Sequence, residues 1–292
     1  VVGNDHGIYG LTFDGMAVPI VTDAHDDFES PAVSPDGRQL VFSRGASPSS
    51  AHDLWVMPIT GGSARRLTNS GTINYGPAWS PDGRTIAYSR VTGTGVGVWA
   101  VSATGGTSVM VAPAASHPTW LGETGALVAV DNTVGDGPLV LLHNGARTVI
   151  PGTSAAIEPA VSPDGRWLAF SHWRSDTHLH SLVVIPTGNG AGVEVKSSTL
   201  DFQNPSWLPD DSGLLFDTRD LNGASRPSAA TFTAAPGLTN LMYLTDRADV
   251  FSPVYASTAP PSPGMQPWGG PTTLRHKGSF GVVGTTVAPR RW

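Results

Sequence analysis

Short apolar runs recur along the chain at nearly constant intervals, among them Leu40-Val-Phe-Ser43, Ile86-Ala-Tyr-Ser89 and Leu168-Ala-Phe-Ser171. Each follows the polar tetrapeptide Ser-Pro-Asp-Gly, a tight-turn signal. Pro presets φ at one corner, Asp caps the turn locally and Gly supplies the positive φ. Ahead of each turn stands a short stretch led by Pro. Behind each run, past a variable loop, comes another, such as Leu54-Trp-Val-Met57, Val98-Trp-Ala-Val101 or Leu182-Val-Val-Ile185. Gly61-Gly62 and Gly105-Gly106 then mark turns into a fourth run, which ends in Leu67-Thr68 in the first unit. Runs of this length between turn residues, with no segment of helical period, predict an all-β chain.

The units form a repeat. Pro31-Ala-Val-Ser-Pro-Asp-Gly37 returns as Pro77-Ala-Trp-Ser-Pro-Asp-Gly83 and Pro159-Ala-Val-Ser-Pro-Asp-Gly165, with weaker copies from Pro118 and Pro205 and a vestige at Pro253. The leading prolines are 46, 41, 41, 46 and 48 residues apart, a period that suits one four-stranded antiparallel blade of a β-propeller. Residues 7–22 read as the third and fourth strands of a further blade, with Thr22 nine residues before Pro31 as Thr68 is before Pro77. Six blades are therefore expected, starting near 31, 77, 118, 159, 205 and 253. The N-terminal strands would complete the last blade and close the ring over residues 1–258. From Ala259 to Trp292 the pattern fails in a Pro/Gly-rich segment, in which Phe280–Val287 would supply a closing strand.

Composition narrows the class without naming a ligand. Gly (35) and Pro (25) make up a fifth of the 292 residues, as a turn-rich fold requires. The net charge of −6 and the lack of a basic stripe argue against nucleic acid. No apolar run is long enough to span a membrane as a helix. The absence of cysteine excludes disulfides, thiolate metal sites and a cysteine nucleophile. We read the chain as a secreted, periplasmic or extracellular monomer; no signal peptide is visible.

The phrase Pro77-Ala-Trp-Ser-Pro-Asp-Gly-Arg-Thr-Ile-Ala-Tyr-Ser89, followed by Trp99, Gly105-Gly106 and, in the first unit, Arg66-Leu-Thr68, resembles the TolB-type propeller repeat over residues 7 to about 256. That resemblance implies the WD40-like propeller fold. It leaves function open among periplasmic scaffolds, substrate-gating propellers of prolyl-oligopeptidase-type enzymes and oligogalacturonate lyases. A serine peptidase would carry a Gly-x-Ser-x-Gly elbow and a hydrolase domain, and neither is present.

Two residue sets are candidates for a site at the channel mouth. Residues just before the leading prolines differ from blade to blade, and among them Glu29, Tyr75, His117, Glu158 and Asn204 would face a ligand. The segment Ser171–Ser181 adds His172, Trp173 and Arg174, since an aromatic face beside a guanidinium fork suits sugars or carboxylates. Glu29, His117, Glu158 and His178 would be the ligands if Ca2+ or a transition metal were held there. By contrast Trp79, Trp120 and Trp207, each two places after its Pro, read as packing between blades. The favoured function is non-catalytic binding or scaffolding of a protein segment, glycan or small polar ligand. The alternative is a metal-dependent polysaccharide lyase with His117, His172, His178 and Glu158 around the substrate and Arg174 on its carboxylate.

Overall fold

The computed structural model describes residues 2–4, 7–11, 17–47, 50–188, 190–220, 225–233, 237–243 and 282–290. These build six antiparallel sheets, with strands in sequence order within each. An N-terminal sheet holds Val2–Asn4, Gly7–Leu11 and Ala17–Thr22. Sheet 1 spans Asp27–Val33 to Arg65–Arg66, sheet 2 Asn74–Trp79 to Val109–Pro113, and sheet 3 Ala115–Leu121 to Ala146–Val149. Sheet 4 runs from Ala156–Val161 to Gly190–Ser197, and sheet 5 from Leu200–Trp207 to Gly237–Tyr243. The single helical element among the described residues is a 3-10 turn at Gly122–Thr124.

The repeated tetrapeptide folds the same way three times. Gly37, Gly83 and Gly165 take φ of 69°, 70° and 73°. Each donates its N–H to the carbonyl of Ser34, Ser80 or Ser162 at 2.8 Å. The serine hydroxyl donates to the Asp carboxylate at 2.6 Å, and that carboxylate accepts the N–H of the arginine two residues on. Hydrogen bonding to the charged form holds Asp36 and Asp82 below the usual carboxylate range. So the turn is closed by its own side chains.

The core lies between sheets rather than within one. Leu54, Val56 and Leu67 of sheet 1 meet Trp79, Ile86 and Tyr88 of sheet 2. Val128 and Leu139 of sheet 3 meet Leu168 and Phe170 of sheet 4, while Leu182 and Val184 meet Phe202 and Phe216 of sheet 5. The tryptophans two places after Pro pack between sheets as the sequence predicts. Their Nε1–H groups also donate across the gap, Trp79 to Ala32 O, Trp120 to Ala78 O and Trp207 to Ala160 O, at 3.0–3.1 Å.

Two expectations change. Gly7–Leu11 pairs with Val2–Asn4, so the chain's own first residues supply the neighbour expected from the C-terminal end. The expected blade start at Pro253 and most of the segment after Ala259 lie outside the described residues. The closing strand, Val282–Arg290, pairs with Gly190–Ser197 and becomes a fifth strand on sheet 4 instead of completing the N-terminal sheet. An edge strand presents a row of unpaired backbone groups, and this one is covered in that way.

Candidate functional site

The residue before each of the five described leading prolines has an unusual backbone. Ser30, Gly76, His117, Glu158 and Asn204 all take φ between 49° and 57°. At each of these positions the inner strand slips register against the second strand: Glu29/Ala32, Tyr75/Ala78, Ser116/Thr119, Ile157/Ala160 and Gln203/Ser206. This is a β-bulge repeated in every inner strand of sheets 1–5, left-handed at a position where only one of the five residues is Gly. The repetition makes the strain a property of the fold.

The bulges are tied to one another across sheets. Buried Ser89 of sheet 2 accepts the His117 N–H of sheet 3 at 2.8 Å. In sheet 4 the link is longer: Glu158 Oε2 accepts the Asn204 N–H of sheet 5 at 2.7 Å and the Ser171 hydroxyl at 3.1 Å. Asn204 Nδ2 then donates to Asp217, which stands where sheets 1, 2 and 4 have a serine. Burial pushes the Glu158 carboxyl up, against the pull of those two hydrogen bonds. Burial also holds the His117 imidazole down to about 4, so it is neutral at neutral pH. Tyr75 meets His117 edge-on at 5.1 Å, and burial raises its hydroxyl. Glu29 lies in sheet 1 opposite Ser43.

The second set is split. Trp173, 37% exposed, is flanked edge-on by His178 at 5.9 Å and His180 at 5.1 Å. His180 Nδ1 lies 2.9 Å from Asp201 Oδ1, and Gln203 donates to the other carboxylate oxygen at 2.7 Å. Arg174 donates to Ser197 O at 3.1 Å and to Asp176 at 2.8 Å, so its fork is taken up internally. His172 stands 3.7 Å from Glu194, whose carboxyl is held down to about 2 by His172, Ser181 and Lys196 together. Among the described residues no three His, Asp or Glu side chains converge in a geometry that holds a metal. Glu29, His117, Glu158 and His178 are therefore not brought together as the expected ion site.

Trp173 and His180 instead border a cleft of about 600 Å³ between sheets 3 and 4. Its opposite wall is the loop Asn132–Gly137, and its floor is Ala155–Ile157. Neither residue set expected from the sequence includes that loop. Its signal is present in Asp131-Asn-Thr-Val-Gly-Asp-Gly137, a polar, Gly-rich connection between second and third strands. Asp131 anchors the loop by accepting the Thr133 N–H at 2.9 Å and binding Arg147 at 2.7 Å.

Residues 7–211 match the family model described as the TolB beta propeller domain. No curated protein matches the sequence. Among solved structures, TolB from Acinetobacter baumannii is similar with a TM-score of 0.69 and 16% identity, over 82% of this chain and 60% of that one. A putative TolB from Agrobacterium tumefaciens gives 0.65 and 18%, over 86% and 97%. An oligogalacturonate lyase from Vibrio parahaemolyticus gives 0.51 and 11%, over 78% and 68%. The chain thus spans about 60% of the Acinetobacter protein and nearly all of the Agrobacterium one. At these identities the likenesses describe fold.

Proposed function

We propose that this chain, which belongs to the TolB β-propeller family, is a non-catalytic binding propeller that takes its ligand in the cleft beside Trp173. The observation that carries this reading is an exposed indole at the rim of a cleft of about 600 Å³. A cleft with one aromatic face and polar walls suits a short protein segment, a glycan or a small polar ligand. The edge-on imidazoles and the Asp201–Gln203 pair fix the ring's surroundings, so the indole is pre-ordered before binding. Export to the periplasm or outside the cell, and a monomeric state, complete the proposal. Among the described residues no helix is long and apolar enough to cross a membrane.

The lyase alternative has less support. It needs His117, His172, His178, Glu158 and Arg174 around one substrate. Glu158 instead bonds the Asn204 bulge, His172 approaches Glu194, and Arg174 is bonded to Ser197 and Asp176.

Glycan and peptide arrays probed with the purified protein test the proposal, with Gly135→Trp as the blocking control. Gly135 lines the cleft, and an added Cβ there meets nothing within 4 Å, so a side chain at its rim is accommodated without a clash. Binding that Gly135→Trp removes supports the cleft; array hits that survive the block reject it.

A further inference from the structure

On the second strand of each of sheets 1–5, one repeated position lies opposite the start of the inner strand. Its occupants are Arg44, Arg90, Asp131, His172 and Thr218, facing Phe28, Asn74, Ala115, Ala156 and Phe202 in register. Each ionisable occupant but one has an internal ionic partner. Arg44 bonds Asp23 and Asp26, Asp131 bonds Arg147, and His172 approaches Glu194. Thr218 is neutral and shares a hydrogen bond with Ser228 at 2.9 Å.

Arg90 is the exception. Its guanidinium donates to Asn74 Oδ1 at 3.0 Å, Tyr88 OH at 2.5 Å and Ser108 Oγ at 3.3 Å. It lies 4.3 Å over the Trp99 ring and 5.4 Å from that of Tyr88. All these partners are neutral, and among the described residues no carboxylate lies in ion-pair range. A half-buried guanidinium with donors to spare is a costly arrangement unless an anion completes it.

Space for one is present. A cleft of about 420 Å³ opens in front of Arg90 between the outer strands of sheets 1 and 2. Arg66 forms its other wall, with Ser108 and Gly106 at its edge. Arg66 is bonded to Asp53 and to Asn69 Oδ1. The two arginines and Asp53 leave the cleft one positive charge in a chain whose net charge is −6. We propose that this cleft is a second ligand site, specific for a carboxylate group that takes the place of the counter-charge that sheets 1, 3 and 4 carry internally. One surplus charge matches a monoanion better than a phosphate dianion, and the planar fork of Arg90 matches carboxylate geometry. The site does not depend on the reading of the Trp173 cleft.

Calorimetric titration with three monocarboxylates tests it: glucuronate, N-acetyl-alanyl-alanine and lactate, each beside its neutral amide. At least one acid binds with a Kd below ~10 mM, and its amide binds at least about tenfold more weakly; the acid that binds tells a sugar from a peptide terminus or a free organic acid. Arg90→Gln, which keeps the bond to Asn74, weakens binding at least about tenfold. Ser108→Asp supplies the missing counter-charge, so it abolishes binding and raises the melting temperature. No saturable acid, acids no tighter than their amides, sulfate or phosphate binding in place of every carboxylate, or unchanged binding by folded Ser108→Asp would each overturn the proposal. Should either variant fail to fold, the acid-against-amide comparison on the unaltered protein decides.

Discussion

Glu158 offers the sharpest test of how the inner strands are held together. Its carboxylate accepts the Asn204 N–H of the next sheet and the Ser171 hydroxyl of its own. Glu158→Ala leaves that N–H without its acceptor beside a new void. An orphaned buried donor costs about 1–3 kcal/mol. With about 2 kcal/mol lost, a domain of this size melts roughly 4–8 °C lower. Glu158→Gln retains an oxygen acceptor and removes the charge. Burial raises the Glu158 pKa above its ordinary 4.5, so between that value and the folded one the native state holds more protons than the unfolded chain. The carboxyl's contribution is therefore full below about pH 4.5 and declines as pH rises through the folded pKa. Urea denaturation of the three proteins at pH 4.5 and 7.5 separates these effects. Glu158→Ala should be weakened at both, whereas Glu158→Gln should gain on wild type as pH rises. If Glu158→Ala matches wild type at both pH values, the carboxylate does not couple sheets 4 and 5 and the reasoning fails.

Other predictions concern the same bulges and the outer edge of sheet 4. Ser30 sits at φ 49°, so Ser30→Gly should hold or raise the urea midpoint, while β-branched Ser30→Val should lose about 1–3 kcal/mol; equal midpoints would remove strain from the account. His117, held at about 4 against an ordinary 6.5, makes the native state bind fewer protons than the unfolded chain between those values. Its contribution is present above pH 6.5 and is lost as pH falls toward 4. His117→Asn, which tolerates the left-handed backbone, should flatten that limb of the stability curve by roughly 3 kcal/mol. Glu194, held at about 2 against 4.5, contributes stability present above pH 4.5 and lost as pH falls toward 2. Glu194→Gln should therefore narrow its gap to wild type in that acid range, read by thermal melts.

Much of the fold was written in the sequence because its determinants are local. A Ser-Pro-Asp-Gly turn closes on its own side chains, and a Trp two places past Pro meets the neighbouring sheet wherever the repeat is regular. The blade-to-blade variation before each Pro was also legible, but its meaning was not. Those residues share a left-handed bulge, and at Glu158 and His117 the polar atoms bond the neighbouring sheet or their own strand as much as they face outward. Arg174 looked free for a ligand because Ser197, its acceptor, lies 23 residues away on an outer strand. The isolation of Arg90 emerges only when register aligns it with Arg44, Asp131 and His172. The landing place of Val282–Arg290 is likewise non-local, since any open edge strand offers the same backbone groups.

The central claim is that Trp173 forms the rim of the ligand cleft. Its direct measure is the affinity of the best array-selected ligand for wild type and Trp173→Ala, with melting temperatures recorded in parallel. The account predicts at least about a tenfold loss of affinity at an unchanged melting temperature, because the ring is exposed and its neighbours are held by Asp201 and Gln203. Undiminished affinity in a folded Trp173→Ala protein would contradict it.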